Sequence, residues 1–179
     1  MSTSLETFLP GELRLARGTP RDYRTLERFH YRPKSPATWA GVWVVRYVEE
    51  RHEGTEARRH EGGHEGRVVA VTVLSYPTVN SGARDRALEI AHWSPRRKLT
   101  FVNQHVRTIS RVIVHPQFRS VGLASQLVRH VCAEAPTRYV EAFAVMGRVH
   151  PFFEKGGMTR RSEDAETERP VYYLFERAN

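Results

Sequence analysis

The sequence has little of what marks secreted or membrane-bound proteins. Its one cysteine, Cys132, cannot form an internal disulfide, and a buried, unreactive thiol is its expected role. No apolar run reaches the length of a transmembrane helix, and the N-terminus lacks the basic and then apolar segment of a signal peptide. We therefore predict a cytoplasmic protein with no membrane partner.

Lysine is also scarce, because Lys34, Lys98 and Lys155 are the only lysines in a chain of net charge +8 and isoelectric point near 10.1. Arginine carries the rest of the positive charge. Such a surface favours anionic partners, which include nucleic acid, acidic peptides and coenzyme A, and it is equally compatible with a merely solvated basic surface. No zinc-finger spacing or aromatic RNA-binding signature is present, so a nucleic-acid partner stays open.

The most informative stretch runs from Ile109 to Val131 and predicts a strand, a tight turn and a helix. The strand is indicated by β-branched residues, and His115-Pro116 ends it because proline cannot donate to a ladder. The helix is expected to begin near Gly122 and to close at Pro136. Its apolar positions recur at helical spacing: Leu123, Leu127, Val128 and Val131.

The turn between them, residues 119–124, has the composition of an anion site. Gly122 allows a close backbone approach, and the first N–H groups of a helix have no intrahelical partner and lie at the positive end of its dipole. Arg119 would add a charge-assisted contact. These six residues alone are equally compatible with an ordinary turn that contains a glycine.

The rest of the chain alternates strands with helices, which predicts one mixed α/β domain over residues 11–177 behind a flexible leader, residues 1–10. We expect strands at 12–17, 39–48, 67–76, 139–146 and 171–177, and helices at 21–30, 83–91, 95–105 and 151–157. The strand at 139–146 follows a compact strand–helix connection, so we expect it to pair in parallel with the strand that begins at Ile109.

Two further segments carry chemically active side chains. His30 and Tyr31 lie at a helix end before a proline-rich loop; they are candidates for proton transfer and also ordinary helix-end residues. The segment from His60 to His64 matches the letters of a zinc-protease motif. Its central Gly-Gly disfavours the helix that such a motif needs, so we predict no metal site there, and the role of residues 51–66 stays open.

The turn at 119–124 resembles the pyrophosphate-binding signature of the GNAT superfamily of acyl-CoA-dependent acyltransferases. Together with the element order and the segment Phe152–Met158, it makes residues 11–177 similar to a GNAT domain. The closest resemblance is to the acetyltransferase-like domains found with prokaryotic ABC-type ATPases, and a weaker one is to phage Mom-type DNA-modifying enzymes. The segments that carry these two resemblances are 29–32, 36–39, 110–116, 144–146 and 150–154.

The resemblance implies a central, mixed, mostly antiparallel twisted sheet with flanking helices and one splayed parallel pair. It implies acetyl-CoA, or another acyl-CoA, as cofactor in that V, with pantetheine on the backbone of Val112 and Val114. The pyrophosphate would meet Arg119, Ser120, Val121, Gly122, Leu123 and Ala124. The acyl group would pass to a small-molecule or macromolecular amine, and a homo-oligomer is compatible with this reading.

The sequence departs from the family pattern at two places. Phe153 occupies a position where many members have a tyrosine that serves the departing thiolate, and no glutamate stands on the motif strand. His30 or Tyr31 is therefore expected near the acceptor, with Ser110 orienting it and Arg111 recognising an anionic substrate. Two alternatives remain: a Mom-like nucleobase-modifying enzyme, and a non-catalytic GNAT-fold module that binds CoA or nucleic acid.

Overall fold

The computed structural model describes residues 3–5, 11–31, 35–49, 66–145, 147, 149–161 and 170–178. Within these ranges one sheet runs in the order β1-β2-β3-β4-β5-β6-β8-β7, and every neighbouring pair is antiparallel except β5 and β6. The strands are β1 Thr3–Leu5, β2 Gly11–Arg17, β3 Gly41–Glu49, β4 Arg67–Ser75, β5 Val106–Val114, β6 Tyr139–Ala144, β7 Thr159–Arg160 and β8 Val171–Glu176. The helices are α1 Pro20–Leu26, α2 Gly82–Ala87, α3 Pro95–His105, α4 Leu123–Glu134 and α5 Phe152–Lys155. The predicted α/β class, with one parallel pair in a mostly antiparallel sheet, is confirmed.

Local sequence explains where the first helix begins and ends. Thr19 caps α1 through a reciprocal capping box with Asp22, and Pro20 occupies the first helical position, where its missing N–H is not needed. The helix is shorter than the predicted 21–30, because the chain tightens into a 3₁₀ turn over Glu27–Phe29 and then turns extended at His30. That change of direction carries His30 away from the helix axis.

The other boundaries differ from prediction by a few residues at the ends. Within the segment expected to be a leader, Thr3–Leu5 pairs antiparallel with β2 as a short edge strand. Strand β6 ends at Ala144, and Met146 lies outside the described residues. Helix α2 ends at Ala87, because the chain adopts a left-handed backbone at Glu89. The expected helix at 95–105 is present as α3.

Helices cover both faces of the sheet. On one face α4 and α5 pack on the largest apolar cluster, which contains Leu127 and Phe153. On the other face α1 packs through Tyr23 and Leu26. The segment from α2 to α3 adds a smaller cluster around Val102, also on this second face, at the start of β5. We call these the α4 face and the α1 face.

Cys132 lies in α4, is 2% exposed and forms no disulfide, so the predicted buried thiol is confirmed. Burial raises its pKa to about 12, because the interior disfavours the thiolate. We expect the native protein to resist a thiol-specific disulfide reagent such as Ellman's reagent, and to react with one equivalent only after denaturation. Rapid labelling of the native chain would contradict this burial.

A β-bulge and an early end to pairing shape the centre of the sheet. Val73 pairs with Arg111 but Leu74 pairs with Ile109, so Ser110 is an extra residue in β5. The bulge reverses the alternation of side chains, so that Ile109 faces α4 whereas Ile113 faces α1. Parallel pairing with β6 is recorded from Val106 to Ile109, while β5 continues to Val114. The two strands therefore open into a V.

Candidate active site

A cleft of about 720 Å³ occupies the V between β5 and β6. The turn before α4, the end of the 3₁₀ turn after α1, and the segment around α5 form its walls. Val121, which was predicted to bind the cofactor, does not line it, and its side chain points outward at 40% exposure. The predicted site residues that do line the cleft are His30, Tyr31, Ser110, Arg111, Val112, Val114, Arg119, Ser120, Gly122, Leu123 and Ala124.

The main chain of β5 presents hydrogen-bonding groups to this cleft. The N–H of His115 donates to the carbonyl of Val69 on β4 at 2.9 Å or less, with an N···O distance of 2.8 Å. Because strand peptide groups alternate in direction, those of Val112 and Val114 point away from β4, toward the edge that β6 leaves. The Nε atom of Arg119 lies 3.5 Å from the Val114 carbonyl oxygen. An extended ligand can thus pair with this edge as another strand would.

The turn before α4 is a concave arrangement of backbone N–H groups. Ser120 and Gly122 both have left-handed backbone angles, with φ of 69° and 83°. No side chain caps α4, whose N-cap is Gly122. A Cβ added to Gly122 would point into open space, with Gln126 Nε2 the nearest atom at 3.8 Å. The space in front of the helix N-terminus is therefore open to an anion.

Three arginines surround the outer end of the same turn. Burial and the nearby charges of Arg67, Arg28 and Arg119 lower the pKa of His115. Arg67 is held there by a hydrogen bond from Nη2 to Gln117 Oε1, at 3.0 Å. This concentration of cations raises the local concentration of anions at the mouth of the cleft.

His30 and Tyr31 form the wall at the opposite side of the strand. The N–H of His30 donates to the carbonyl of Glu27 at 3.0 Å and ends the 3₁₀ turn, which fixes the backbone there. The two rings lie with centroids 4.7 Å apart, and Tyr31 is 60% exposed. Phe29 packs edge-on against His115, at 4.9 Å, and joins this wall to β5.

Ser110 and Arg111 lie at the floor of the cleft, at the bulge. The hydroxyl of Ser75 donates to the Thr38 carbonyl at 2.7 Å, so the 2.7 Å contact between the Ser75 and Ser110 oxygens uses the proton of Ser110. Ser110 therefore keeps a free lone pair to accept a hydrogen bond. Arg111 donates from Nη1 to the Ser110 carbonyl, at 2.7 Å, and opposes the rise in the pKa of Tyr23 that burial causes.

Phe153 is 5% exposed and packs between two aromatic rings, with Tyr173 stacked at 5.0 Å between centroids. The hydroxyl of Tyr173 lies within hydrogen-bond distance, 3.0 Å, of both the Gly147 carbonyl and Glu154 Oε1. Burial, with Glu154, raises its pKa to about 12. Tyr173 does not line the cleft, so it does not replace the hydroxyl that Phe153 lacks. The polar residues near Phe153 that do line it are Ser125, His150 and Lys155.

Sequence reasoning missed a buried ion pair behind the cleft. Arg84 on α2 and Glu141 on β6 are both fully buried and form two parallel hydrogen bonds of 2.9 and 2.7 Å. Thr108 and Tyr172 donate to the same carboxylate at 2.7 and 3.1 Å. The signal was visible, because Glu141 is the one charged residue in the apolar strand Tyr139–Ala144. This pair anchors α2 to the strands that form the V.

The described residues contain no cluster of three or more His, Cys, Asp or Glu side chains placed to hold a metal ion. The segment from His60 to His64 lies outside the described residues, so its zinc-protease letters are not tested. None of the described helices combines the length and the apolarity that crossing a bilayer requires.

Comparison with known proteins places this geometry in a family. Residues 37–158, more than half of the chain, match the acetyltransferase (GNAT) family. A search of the curated proteins found no match. Among solved structures, the GNAT family N-acetyltransferase YhbS from Escherichia coli in complex with CoA is 12% identical with a TM-score of 0.53, over 96% of this chain and 84% of that one.

Two other solved structures are similar over nearly their whole length. The GNAT domain of S. lividans PAT is 12% identical, with a TM-score of 0.55, over 98% of this chain and 96% of that one. NAA60 from Arabidopsis thaliana in complex with acetyl-CoA is 13% identical, with a TM-score of 0.56, over 91% and 97%. These likenesses agree in fold with the match over residues 37–158, and the chain belongs to the acetyltransferase (GNAT) family.

Proposed function

We propose that this protein is an acyl-CoA-dependent N-acyltransferase that moves an acetyl group from CoA to an amine. The observation that carries the proposal is the cleft in the V, where unpaired main chain of β5 continues into an open, cation-rich helix N-terminus. The YhbS and NAA60 structures mentioned above contain CoA and acetyl-CoA, and this supports the same cofactor class here.

The cleft residues fit such a cofactor. The left-handed turn at Ser120 and Gly122 turns N–H groups toward an open space that a pyrophosphate can fill. Arg119 adds a cation at that point. The backbone of Val112 and Val114 matches the amide-containing pantetheine chain, which would lie along it like a strand. When bound, an acyl-CoA supplies a thioester that an amine can attack.

The other wall suits an amine acceptor. An amine attacks only when it has lost its proton, and His30, with an ordinary pKa range near neutrality, can accept that proton. Tyr31 lies against the same ring. Ser110 can accept a hydrogen bond from the amine and so orient it, while Arg111 can contact an anionic group of the acceptor. These four roles follow from the positions of the side chains around the cleft.

A non-catalytic CoA-binding module is the second candidate, and the observation that favours it is Phe153. Its ring is packed in the core and carries no proton for a leaving thiolate. Ser125 and His150 line the cleft nearby and can donate instead. Turnover therefore distinguishes the two candidates, whereas cofactor binding does not.

Calorimetric titration with acetyl-CoA tests the cofactor, with dephospho-CoA and desulfo-CoA as comparisons. We expect saturable one-to-one binding that weakens with salt, because phosphate contacts are screened. Release of free thiol, followed over primary amines, peptides and oligonucleotides, then tests transfer. Absence of saturable binding would exclude the proposed function, and binding without thiol release over the whole panel would establish the second candidate.

His30→Gln is expected to slow acyl transfer by about 10²- to 10⁴-fold, the usual contribution of a general base, for whichever amine turns over. Its affinity for acetyl-CoA should stay within about two-fold, because His30 lies across the strand from the turn that binds phosphate. The matched control is His92→Gln, an exposed histidine outside the cleft. Equal rates in the two variants would remove His30 from the reaction.

A further inference from the structure

We propose that the exposed side of α3 is a docking surface for single-stranded nucleic acid. This surface, the α3 patch, consists of Trp93, Arg96, Arg97, Thr100, Phe101 and His105, which line a groove of about 510 Å³. The groove is separate from the cleft, because the two share no lining residue. Binding there does not depend on the acyl transfer proposed above.

Flat side chains follow one another along the α3 patch at a spacing of four residues. The guanidinium of Arg97 lies 3.9 Å from the ring centroid of Trp93. Phe101 meets Trp93 edge-on at 5.2 Å and His105 at 4.9 Å. Residues four apart share one side of a helix and are separated by about 6 Å along its axis. Such a row offers successive surfaces on which unpaired bases stack.

The charge of the patch suits a phosphate backbone. Helix α3 carries Arg96, Arg97 and Lys98 and contains no acidic residue. Lys98 pairs with Asp85 at 2.6 Å, whereas the structure records no carboxylate contact for Arg96 or Arg97 among the described residues. Two exposed arginines beside stacking rings are the combination that single-strand-binding surfaces use. An acidic peptide would use the arginines but would gain nothing from the row of rings.

The position of the patch connects it with the cleft. Helix α3 ends at His105, and β5 begins at the next residue. Val106 packs in the α3 cluster, and Arg111, five residues further along β5, lines the cleft on the same α1 face. At about 3.3 Å per strand residue, the two sites are about 17 Å apart, the reach of a few nucleotides. A strand bound at α3 can therefore present a base or a bound amine to the cleft.

Fluorescence anisotropy with a labelled oligo-dT and oligo-U of about 15 nucleotides tests the surface without CoA. We expect saturable binding to both, and at least ten-fold weaker binding for Arg96→Gln/Arg97→Gln. The slope of log K against log salt should fall by about 1.4, because two phosphate contacts are lost. The matched control is Arg160→Gln/Arg161→Gln, which removes the same charge from exposed residues at the other edge of the sheet.

Trp93→Leu isolates stacking, since it preserves the charge and most of the apolar contact with Phe101. We expect it to weaken binding by about five-fold or more, with an unchanged salt slope. Equal losses in the two double-arginine variants would overturn the proposal in favour of general attraction to a basic protein. Duplex DNA or poly-glutamate that binds as tightly as the single strands would also overturn it, as would absence of binding by the unmodified protein.

Discussion

Glu141→Gln is expected to lower the free energy of unfolding by roughly 3–5 kcal/mol, the largest stability effect we predict for a single exchange. The glutamine nearly preserves shape, but it leaves the guanidinium of Arg84 charged in a fully buried position. Arg84 cannot escape by losing its proton, because arginine stays ionised in proteins. Urea unfolding followed by circular dichroism measures the change, provided that the slope with denaturant is unaltered.

The doubly substituted chain makes this prediction specific to the ion pair. In Arg84→Met/Glu141→Gln the uncompensated charge is gone, so we expect it to be more stable than Glu141→Gln alone. Glu176→Gln serves as the control, because it breaks the exposed pair with Arg138 and should barely move the midpoint. Additive losses in the double variant would mean that Arg84 and Glu141 do not act as a pair.

Gly122→Leu is expected to weaken acetyl-CoA binding by about 100-fold while the sheet and core stay intact. The new side chain would fill the open space in front of the α4 N-terminus and prevent hydrogen bonds from the backbone to phosphate. Two such bonds at about 1.5 kcal/mol each account for this factor. Calorimetry measures the loss, and thermal unfolding measures the accompanying backbone strain of about 1–2 kcal/mol at a positive φ.

Gly157→Leu is the matched control for that strain. Gly157 also has a positive φ, of 94°, a Cβ there would meet no atom within 4 Å, and the residue does not line the cleft. Both leucine variants should therefore lose similar stability, and only Gly122→Leu should lose cofactor affinity. If the two variants bound acetyl-CoA equally well, the turn before α4 would not be the phosphate site.

The segment from β5 to α4 was the part of the fold that the sequence predicted best. Its β-branched strand, Pro116, and the apolar spacing of Leu123 and Leu127 are local signals that agree with one another. The parallel pairing of β5 with β6 was also predicted, because a strand–helix–strand connection allows few alternatives. The turn residues followed from their position at this junction.

The orientation of side chains along β5 was not predictable, because the bulge at Ser110 depends on pairing with β4 and has no local signature. A regular strand would place Ile109, Arg111 and Ile113 on one face. The ion pair of Arg84 with Glu141 escaped for a similar reason, since its members are 57 residues apart in sequence. The roles of His30, Tyr31, Ser110 and Arg111 remain predictions that the variants above test.

The open edge of β5 has a consequence for how such a site can change over time. Hydrogen bonds from the peptide groups of Val112, Val114 and the turn at Gly122 require a backbone path and leave most side chains unspecified. Substitutions that preserve that path leave the site working, so a lineage can replace most of its residues without losing it. Selection then acts freely on the walls of the cleft, and new acceptors can be acquired while the cofactor site stays the same.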